Sequence, residues 1–300
     1  MKKVYLSEYI APSARRTLEK RCEVVDSFDH PEELDAIIVR RARVTKDIID
    51  HSPKLKCISM HGVGTDTIDV AEAKKKGVPV VNVPGASAES VAELAIALML
   101  GVSRKIKYID QGLQQGELDR FGRQDMVGHE VYGKTLGLVG SGHIAQRVAE
   151  IAKAAFHMEV CCYNPREDVA TLRNKGFAKA DTLEELFGSC DFVSIHVPLT
   201  KETENMVDRK VLYAAKPGLI LVNTARGGIV DEKALLDALQ DGTLAGAGFD
   251  VFKEEIPSKD DPLLHLDNFI ATLHIGGSTE EALERVSEAA VDHVLEALAS

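Results

Sequence analysis

Gly140-Ser141-Gly142-His143-Ile144-Ala145 reads G-x-G-x-x-A, and it falls between a β-rich run ending at Val139 and a helical stretch beginning near Ile144. That placement constrains the fold more than any other feature of the chain. The first glycine permits a tight turn, the second lets backbone approach a pyrophosphate, and small Ala145 allows close helix–sheet packing with the helix N-terminus facing the anion. The segment belongs in a parallel sheet of βαβ units, so it predicts an α/β fold with a dinucleotide bound at Gly140 and Gly142.

The rest of the chain agrees with that prediction. Three hundred residues correspond to about two ordinary domains. Short β-rich runs alternate with helical stretches from end to end, as parallel sheets require. Strands are expected over residues 3–6, 23–27, 36–39, 55–60 and 78–83, with helices over 12–21, 45–51 and 69–76. A long helix-compatible stretch from Ala86 to about Arg104 suggests a spine between two lobes. Residues 106–132 show no clean period and read as an arm or loop, a candidate subunit contact. A second series of strands follows over 136–139, 159–163, 192–196, 219–223, 246–249 and 269–272, with helices over 144–155, 182–187 and 232–239. Ser278-Thr279-Glu280-Glu281 has capping-box spacing before a long Ala- and Leu-rich terminal helix. Its apolar stripe needs a surface, and packing on the first lobe would make that lobe discontinuous.

Composition narrows the function classes. Apolar residues are 45% and charged residues 28% of the chain, near the globular averages of about 45–50% and about 25%. Lys and Arg number 36 against 47 Asp and Glu, a net charge of -11 at pH 7, which disfavours a nucleic-acid partner. The five cysteines Cys22, Cys57, Cys161, Cys162 and Cys190 form no C-x-x-C and no zinc-ligand spacing, so they read as reduced thiols of a cytoplasmic protein, with no metal. Met1-Lys2-Lys3 meets Glu8 before any signal-peptide core is built, and no apolar run has the length of a membrane span, so neither secretion nor a membrane is expected.

At the end of the strand after the glycine loop, an NAD-binding unit usually places an acid on the ribose hydroxyls. Here Tyr163-Asn164-Pro165-Arg166 stands there: Asn164 hydrogen-bonds a hydroxyl without repelling a 2′-phosphate, and Arg166 pairs with one, so NAD and NADP both stay open. Three further strand ends carry polar groups. Asn223 through Asp231 contains Arg226, suited to a bidentate grip on a carboxylate. Asp250 is followed by Glu254 and Glu255. The next strand ends at His274. Hydride transfer at an alcohol carbon needs a base titrating near neutrality, which histidine supplies, and a carboxylate beside it to orient the ring; Glu254 and Glu255 both qualify.

The ordered set Gly62 through Asp69, Ser90 through Leu94, Gly133 through Gly137, His196 through Thr200, Asn223 through Asp231, Asp250 through Phe252 and His274 through Thr279 resembles the D-isomer-specific 2-hydroxyacid dehydrogenases, over nearly the whole length. The resemblance implies two doubly wound parallel-sheet lobes. These are a flavodoxin-like substrate lobe of residues 1–98 plus 276–300, and a Rossmann cofactor lobe of residues 99–275. It implies that Arg226 binds the substrate carboxylate and polarises its carbonyl, that His274 is the acid–base, and that Glu255 orients it. It further implies substrate contacts from the backbone of Val63 and Gly64. Cofactor contacts are implied for His143, Ile144, Asn164, His196, Val197, Pro198, Thr224, Ala225 and Asp250. The family is usually dimeric through residues 100–130.

Several positions depart from the family pattern. His143 and Asn164 replace its usual residues at the cofactor, Leu273 replaces the proline before the catalytic histidine, and Ile256 is inserted between Glu255 and Pro257. Met60 stands where several members carry arginine. Arg40, Arg41 and Arg43 cluster near one strand end, read here as a solvated basic edge in preference to a site for a second acidic group. No regulatory module is expected beyond Ser300. The chain therefore reads as an NAD(P)-dependent oxidoreductase for a small D-2-hydroxy acid and its 2-keto acid. The alternative is a non-catalytic NAD(H)-sensing protein of the same fold.

Overall fold

The computed structural model describes residues 1–118, 120 and 122–299. It divides into two packed units, residues 1–87 with 277–300 and residues 88–276.

The first unit begins with β1 (Lys2–Leu6), α1 (Pro12–Glu19), β2 (Cys22–Val25), β3 (Ala36–Val39), α2 (Lys46–Asp50), β4 (Cys57–Met60), α3 (Val70–Lys75) and β5 (Val80–Val81). The strands are all parallel in the order β2-β1-β3-β4-β5, the flavodoxin-like arrangement. Every residue of β3 and β4 is buried, because a parallel sheet is covered on both faces. The two-residue period then divides each strand between two cores. Val4, Leu6, Ala36 and Ile38 serve one, and Tyr5, Ile37, Val39 and Ile58 the other.

The second unit opens with α4 (Ala88–Ser103) and α5 (Ile106–Gln115). It continues β6 (Thr135–Val139), α6 (His143–Phe156), β7 (Glu159–Tyr163), α7 (Val169–Asn174), β8 (Ala178–Lys179), α8 (Leu183–Ser189), β9 (Phe192–Ile195), α9 (Arg209–Tyr213), β10 (Ile220–Asn223), α10 (Glu232–Gln240), β11 (Gly246–Phe249) and β12 (Phe269–Ala271). Its parallel sheet runs β12-β11-β10-β9-β6-β7-β8, so the strand order reverses between β6 and β9. In open α/β sheets the crevice at such a reversal, beyond the carboxyl ends of the strands, is where ligands sit.

The last helix, α11 (Glu280–Ala299), returns to the first unit, where Val286, Ala290, Val291 and Val294 complete the core of Val4 and Ile38. Its cap is Thr279, whose Oγ1 accepts from Ala282 N at 3.1 Å, one residue later than the spacing from Ser278 predicts.

Two expectations need correction. The stretch over 106–132 is not wholly a loop, since α5 occupies its first part. Gly112 is buried there against Leu118, and Gly116 closes the helix with φ 72°. The glycines and Lys107 obscure a helical period carried by Ile106, Ile109 and Leu113. Asp119 and Phe121 of this stretch lie outside the described residues. Helix α4 is no bare spine. It packs along α6, β10, β11 and β12, so the division falls after Ser87 and not after residue 98.

The basic cluster is also not uniformly solvated. Arg41 and Arg43 are exposed, but Arg40 is half-buried and donates from Nη2 to Ser278 Oγ at 3.0 Å. The backbone N–H groups of Arg40, Arg41 and Ala42 all donate to Glu8, which satisfies the strand end.

His61, just past β4, is 6% exposed and its Nε2 lies 2.9 Å from Ser287 Oγ. Burial, with the Arg40 charge nearby, pushes its pKa from 6.5 down to about 4. The unfolded chain therefore takes up a proton at this residue that the folded chain refuses. Stability should fall as pH drops through the window from 6.5 to about 4, by roughly 3 kcal/mol from this group once the pH is below both values. Thermal melts across that window should show His61→Gln losing less Tm than the parent; an equal loss in both would refute the assignment.

Candidate active site

The glycine loop sits where the sheet reverses. Gly140 has φ 97°, a conformation that glycine adopts without strain. A Cβ there would stand 2.7 Å from His196 O, so the loops after β6 and β9 touch through bare backbone. Gly142 caps α6 with no side-chain acceptor, which leaves the N–H groups of the first turn, at His143 and Ile144, without a side-chain cap. A phosphate group fits such an end, by the dipole and by the unsatisfied donors together. Ala145 is fully buried under the loop.

Beside the loop, Asn164 is drawn into a local network. Its Nδ2 donates to Ser141 Oγ at 2.9 Å and its Oδ1 accepts from Arg166 N at 3.0 Å. Lys175 reaches the same place from the end of α7, with Nζ 3.3 Å from both the carbonyl oxygen and the Oγ of Ser141 and 2.7 Å from Glu167. Burial alone would raise the Glu167 carboxyl, but hydrogen bonds from Lys175 and Ser141 hold it below the ordinary range. Glu167 and Lys175 brace the loop, and sequence reasoning missed them because the contact joins positions 34 apart. The side chain of Arg166 is exposed. His196 has Nε2 2.8 Å from Ser194 Oγ, and burial pushes its pKa down to about 3, which keeps the ring neutral. Val197 is half-buried beside the loop, within 2.8 Å of where a Gly140 Cβ would be, and Pro198 is exposed.

The loops after β10, β11 and β12 are adjacent because the strands are. Asn223, fully buried at the end of β10, donates from Nδ2 to Arg226 O and accepts from Ala225 N, which shapes the turn carrying Arg226. Arg226 Nη1 donates to Ala225 O at 2.7 Å. Thr224 Oγ1 is buried with no hydrogen-bond partner, an orphan that a ligand polar group in this crevice would satisfy. Gly227, which follows Arg226, lies so close to the loop after β11 that a Cβ on it would fall 1.8 Å from Phe252 O. Glu232 Oε1 accepts from Lys253 N at 2.6 Å and ties the same two loops; burial pushes its carboxyl up.

Asp250 is 1% exposed and spends its carboxylate on the segment after β12. Oδ1 accepts from Thr272 Oγ1 at 2.6 Å and Ile275 N at 2.8 Å, Oδ2 accepts from Gly276 N at 2.8 Å, and Asp250 O accepts from His274 N at 2.7 Å. These bonds clamp the backbone on both sides of His274. That residue has φ 50°, a left-handed conformation costing roughly 1–3 kcal/mol for a residue with a side chain. The clamp is what sustains it. His274 is half-buried, while Glu254, Glu255 and Ile256 stand on an exposed turn after Phe252.

In unit 2, then, the structure brings the glycine loop, Thr224 to Arg226, Asp250 and His274 to one edge of a single sheet. Val63 and Gly64 belong to the first unit, after β4, where Val63 is exposed and its carbonyl accepts from Asn82 Nδ2 at 2.6 Å.

A family profile described as D-isomer specific 2-hydroxyacid dehydrogenase, NAD binding domain, matches residues 96–276. The chain belongs to that family. Its members are nicotinamide-dependent oxidoreductases of 2-hydroxy acids, and relatives of several activities align with this one. Hydroxypyruvate reductase of Thermotoga maritima is 40% identical, over 99% of this chain and 98% of the relative. D-3-phosphoglycerate dehydrogenase of Methanocaldococcus jannaschii is 42% identical over 94% of this chain; the chain spans only 55% of that relative's length. Among solved structures, D-lactate dehydrogenase from Aquifex aeolicus, complexed with NAD and lactic acid, superposes with a TM-score of 0.87 at 31% identity, over 99% of this chain and 95% of that one. The two parallel-sheet lobes and the Rossmann order expected of this 2-hydroxyacid dehydrogenase are thus present. Among the described residues no helix is long and apolar enough to cross a membrane, and no cluster of metal-ligating side chains occurs.

Proposed function

We propose that the protein reduces a small 2-keto acid to its D-2-hydroxy acid with NADH or NADPH, the reverse reaction sharing the same groups. The observation that carries this reading is the clamp of Asp250 on His274 beside the Arg226 turn, on the sheet edge that also bears the glycine loop. When bound, the nicotinamide supplies the hydride to the carbonyl carbon. The N-terminal turn of α6, with His143 and Ile144, would hold the diphosphate, Asn164 and Arg166 the adenosine ribose, and His196 to Pro198 and Thr224 to Arg226 the rest. Arg226 grips the substrate carboxylate bidentately and polarises the carbonyl. His274 gives its proton to the oxygen as that oxygen gains charge, and in oxidation takes it back. Glu255 orients the imidazole and favours its charged form. In the first unit, the backbone of Val63 and Gly64 is the proposed contact for the substrate carboxylate.

We propose further that the enzyme is a cytoplasmic homodimer joined through residues 100–130. Ile106, Leu113 and Val127 are more than half exposed on that segment, an apolar surface that a second copy would cover.

The test is a screen of glyoxylate, hydroxypyruvate and pyruvate with each reduced cofactor, followed by nicotinamide absorbance, with equilibrium binding of both cofactors measured alongside. Turnover of at least one keto acid is expected. Tight cofactor binding with no turnover of any would favour a sensor and sink the enzymatic reading.

A further inference from the structure

Three of the five cysteines lie in the second unit. Cys161 and Cys162 are consecutive on β7, so their side chains leave opposite faces of the sheet. Cys162 is fully buried, and its thiol donates to Gly140 O at 3.4 Å. Cys161 is half-buried and packs on the other face, against the core that contains Leu186, Phe187 and Cys190. Cys190 closes α8 in an extended conformation and is fully buried.

Two observations put the Cys190 sulfur beside Cys161. Cys161 is the cross-strand partner of Gly137 on β6, and a Cβ built on Gly137 would stand 3.0 Å from Cys190 Sγ. The sulfur therefore occupies the room left by the glycine, one strand spacing from Cys161 and on its face. The interaction between the two thiols lowers the Cys161 pKa, against the effect of burial, and raises that of Cys190. Cys161 is thus the partly exposed residue of the pair and Cys190 the fully buried one, the order that a peroxide-reactive cysteine and its resolving partner require.

We propose that Cys161 and Cys190 form a reversible dithiol–disulfide pair that is oxidised by hydroperoxides. The Cys161 thiolate attacks one oxygen of hydrogen peroxide, the O–O bond breaks, and the departing hydroxide takes a proton to leave as water. The Cys190 sulfur then attacks the sulfenic sulfur at 161, the S–O bond breaks, and a second water leaves with the Cys190 proton. The two thiols lose two electrons and two protons, and the peroxide is reduced to two waters. The inference does not depend on the proposed active site.

The experiment treats the native protein with hydrogen peroxide, blocks remaining thiols with N-ethylmaleimide and maps tryptic peptides without reduction. A cross-link joining peptides 154–166 and 180–201 is expected, two hydrogens lighter than the sum of the two peptides with one N-ethylmaleimide on Cys162, and released by dithiothreitol. It should persist in Cys162→Ala and vanish in Cys161→Ser, while Cys190→Ser should leave a sulfenic acid at 161 that dimedone traps. Buried Cys57, whose thiol is pushed up to about 11, serves as the internal control and should stay reduced. Recovery of the two wild-type peptides singly, both alkylated, would overturn the proposal. So would a cross-link that survives in Cys161→Ser. The wild-type and Cys162→Ala maps decide the matter even if the other variants fail to fold.

Discussion

Alanine at position 274 should lower kcat by about a hundred- to ten-thousand-fold, the usual range for loss of a positioned acid–base. The Kd for NADH should stay within a few-fold of the parent. The imidazole is the only part of His274 that is lost, while its backbone is held independently by Asp250 O on its own N–H and by the Asp250 carboxylate on residues 275 and 276. The glycine loop lies across the sheet with three strands between, after β6 and not after β12, so the cofactor site is left in place. Steady-state rates beside cofactor titration separate the two effects. Unchanged turnover would remove His274 from the mechanism, and lost cofactor affinity would mean that the substitution disturbs the whole edge. Alanine at φ 50° carries a similar backbone cost to histidine, so Tm should shift little.

Gly227→Ala should be the most disruptive small substitution in the second unit. One methyl group placed there would lie 1.8 Å from Phe252 O, 1.9 Å from Phe252 C and 2.4 Å from Lys253 N, all backbone atoms that cannot rotate away. The loops after β10 and β11 must separate. Their separation breaks the Glu232 to Lys253 bond and shifts Arg226, the neighbouring residue. Overpacking of this kind costs about 1–3 kcal/mol or more, and a displacement near 1 Å of a substrate-gripping arginine is worth about a hundred-fold in kcat/KM. Calorimetry and steady-state kinetics should therefore both show losses. A variant with parental Tm and kcat/KM would show that the close approach is not needed. By contrast Gly142→Ala meets nothing within 4 Å and should keep its stability, which makes it the matched control.

How much of this was legible in the sequence depended on the range of the interaction. The run over 159–163, the run over 246–249 and the strand over 36–39 match β7, β11 and β3 to the residue; β11 and β3 are buried throughout and read as short blocks bounded by turn residues, while β7 alternates buried with more open positions. Two-residue β8 carried no such block and was invisible. Helix α5 was hidden because three of its determinants, Gly112, Gly116 and the half-buried Lys107, weaken a periodic signal; in the folded chain Lys107 Nζ instead donates to the carbonyl oxygens of Leu264, Leu266 and Phe269. Among the site residues, motif order named Arg226, Asp250 and His274. It did not show that Asp250 serves the backbone around His274, nor that Lys175 and Glu167 brace Ser141, since those are facts about side chains meeting across distant segments.

The first unit is interrupted by the second, and this sets an order of assembly. Synthesis delivers residues 1–87 first, yet the face of their sheet bearing Val4, Leu6 and Ile38, which α1 covers only in part through Ala14 and Leu18, stays incompletely covered until α11 emerges, after the whole of the contiguous second unit. The later-made unit is thus the earlier one able to close. The interval between is when the nascent chain offers an uncovered greasy surface to chaperones or to its neighbours on the polysome.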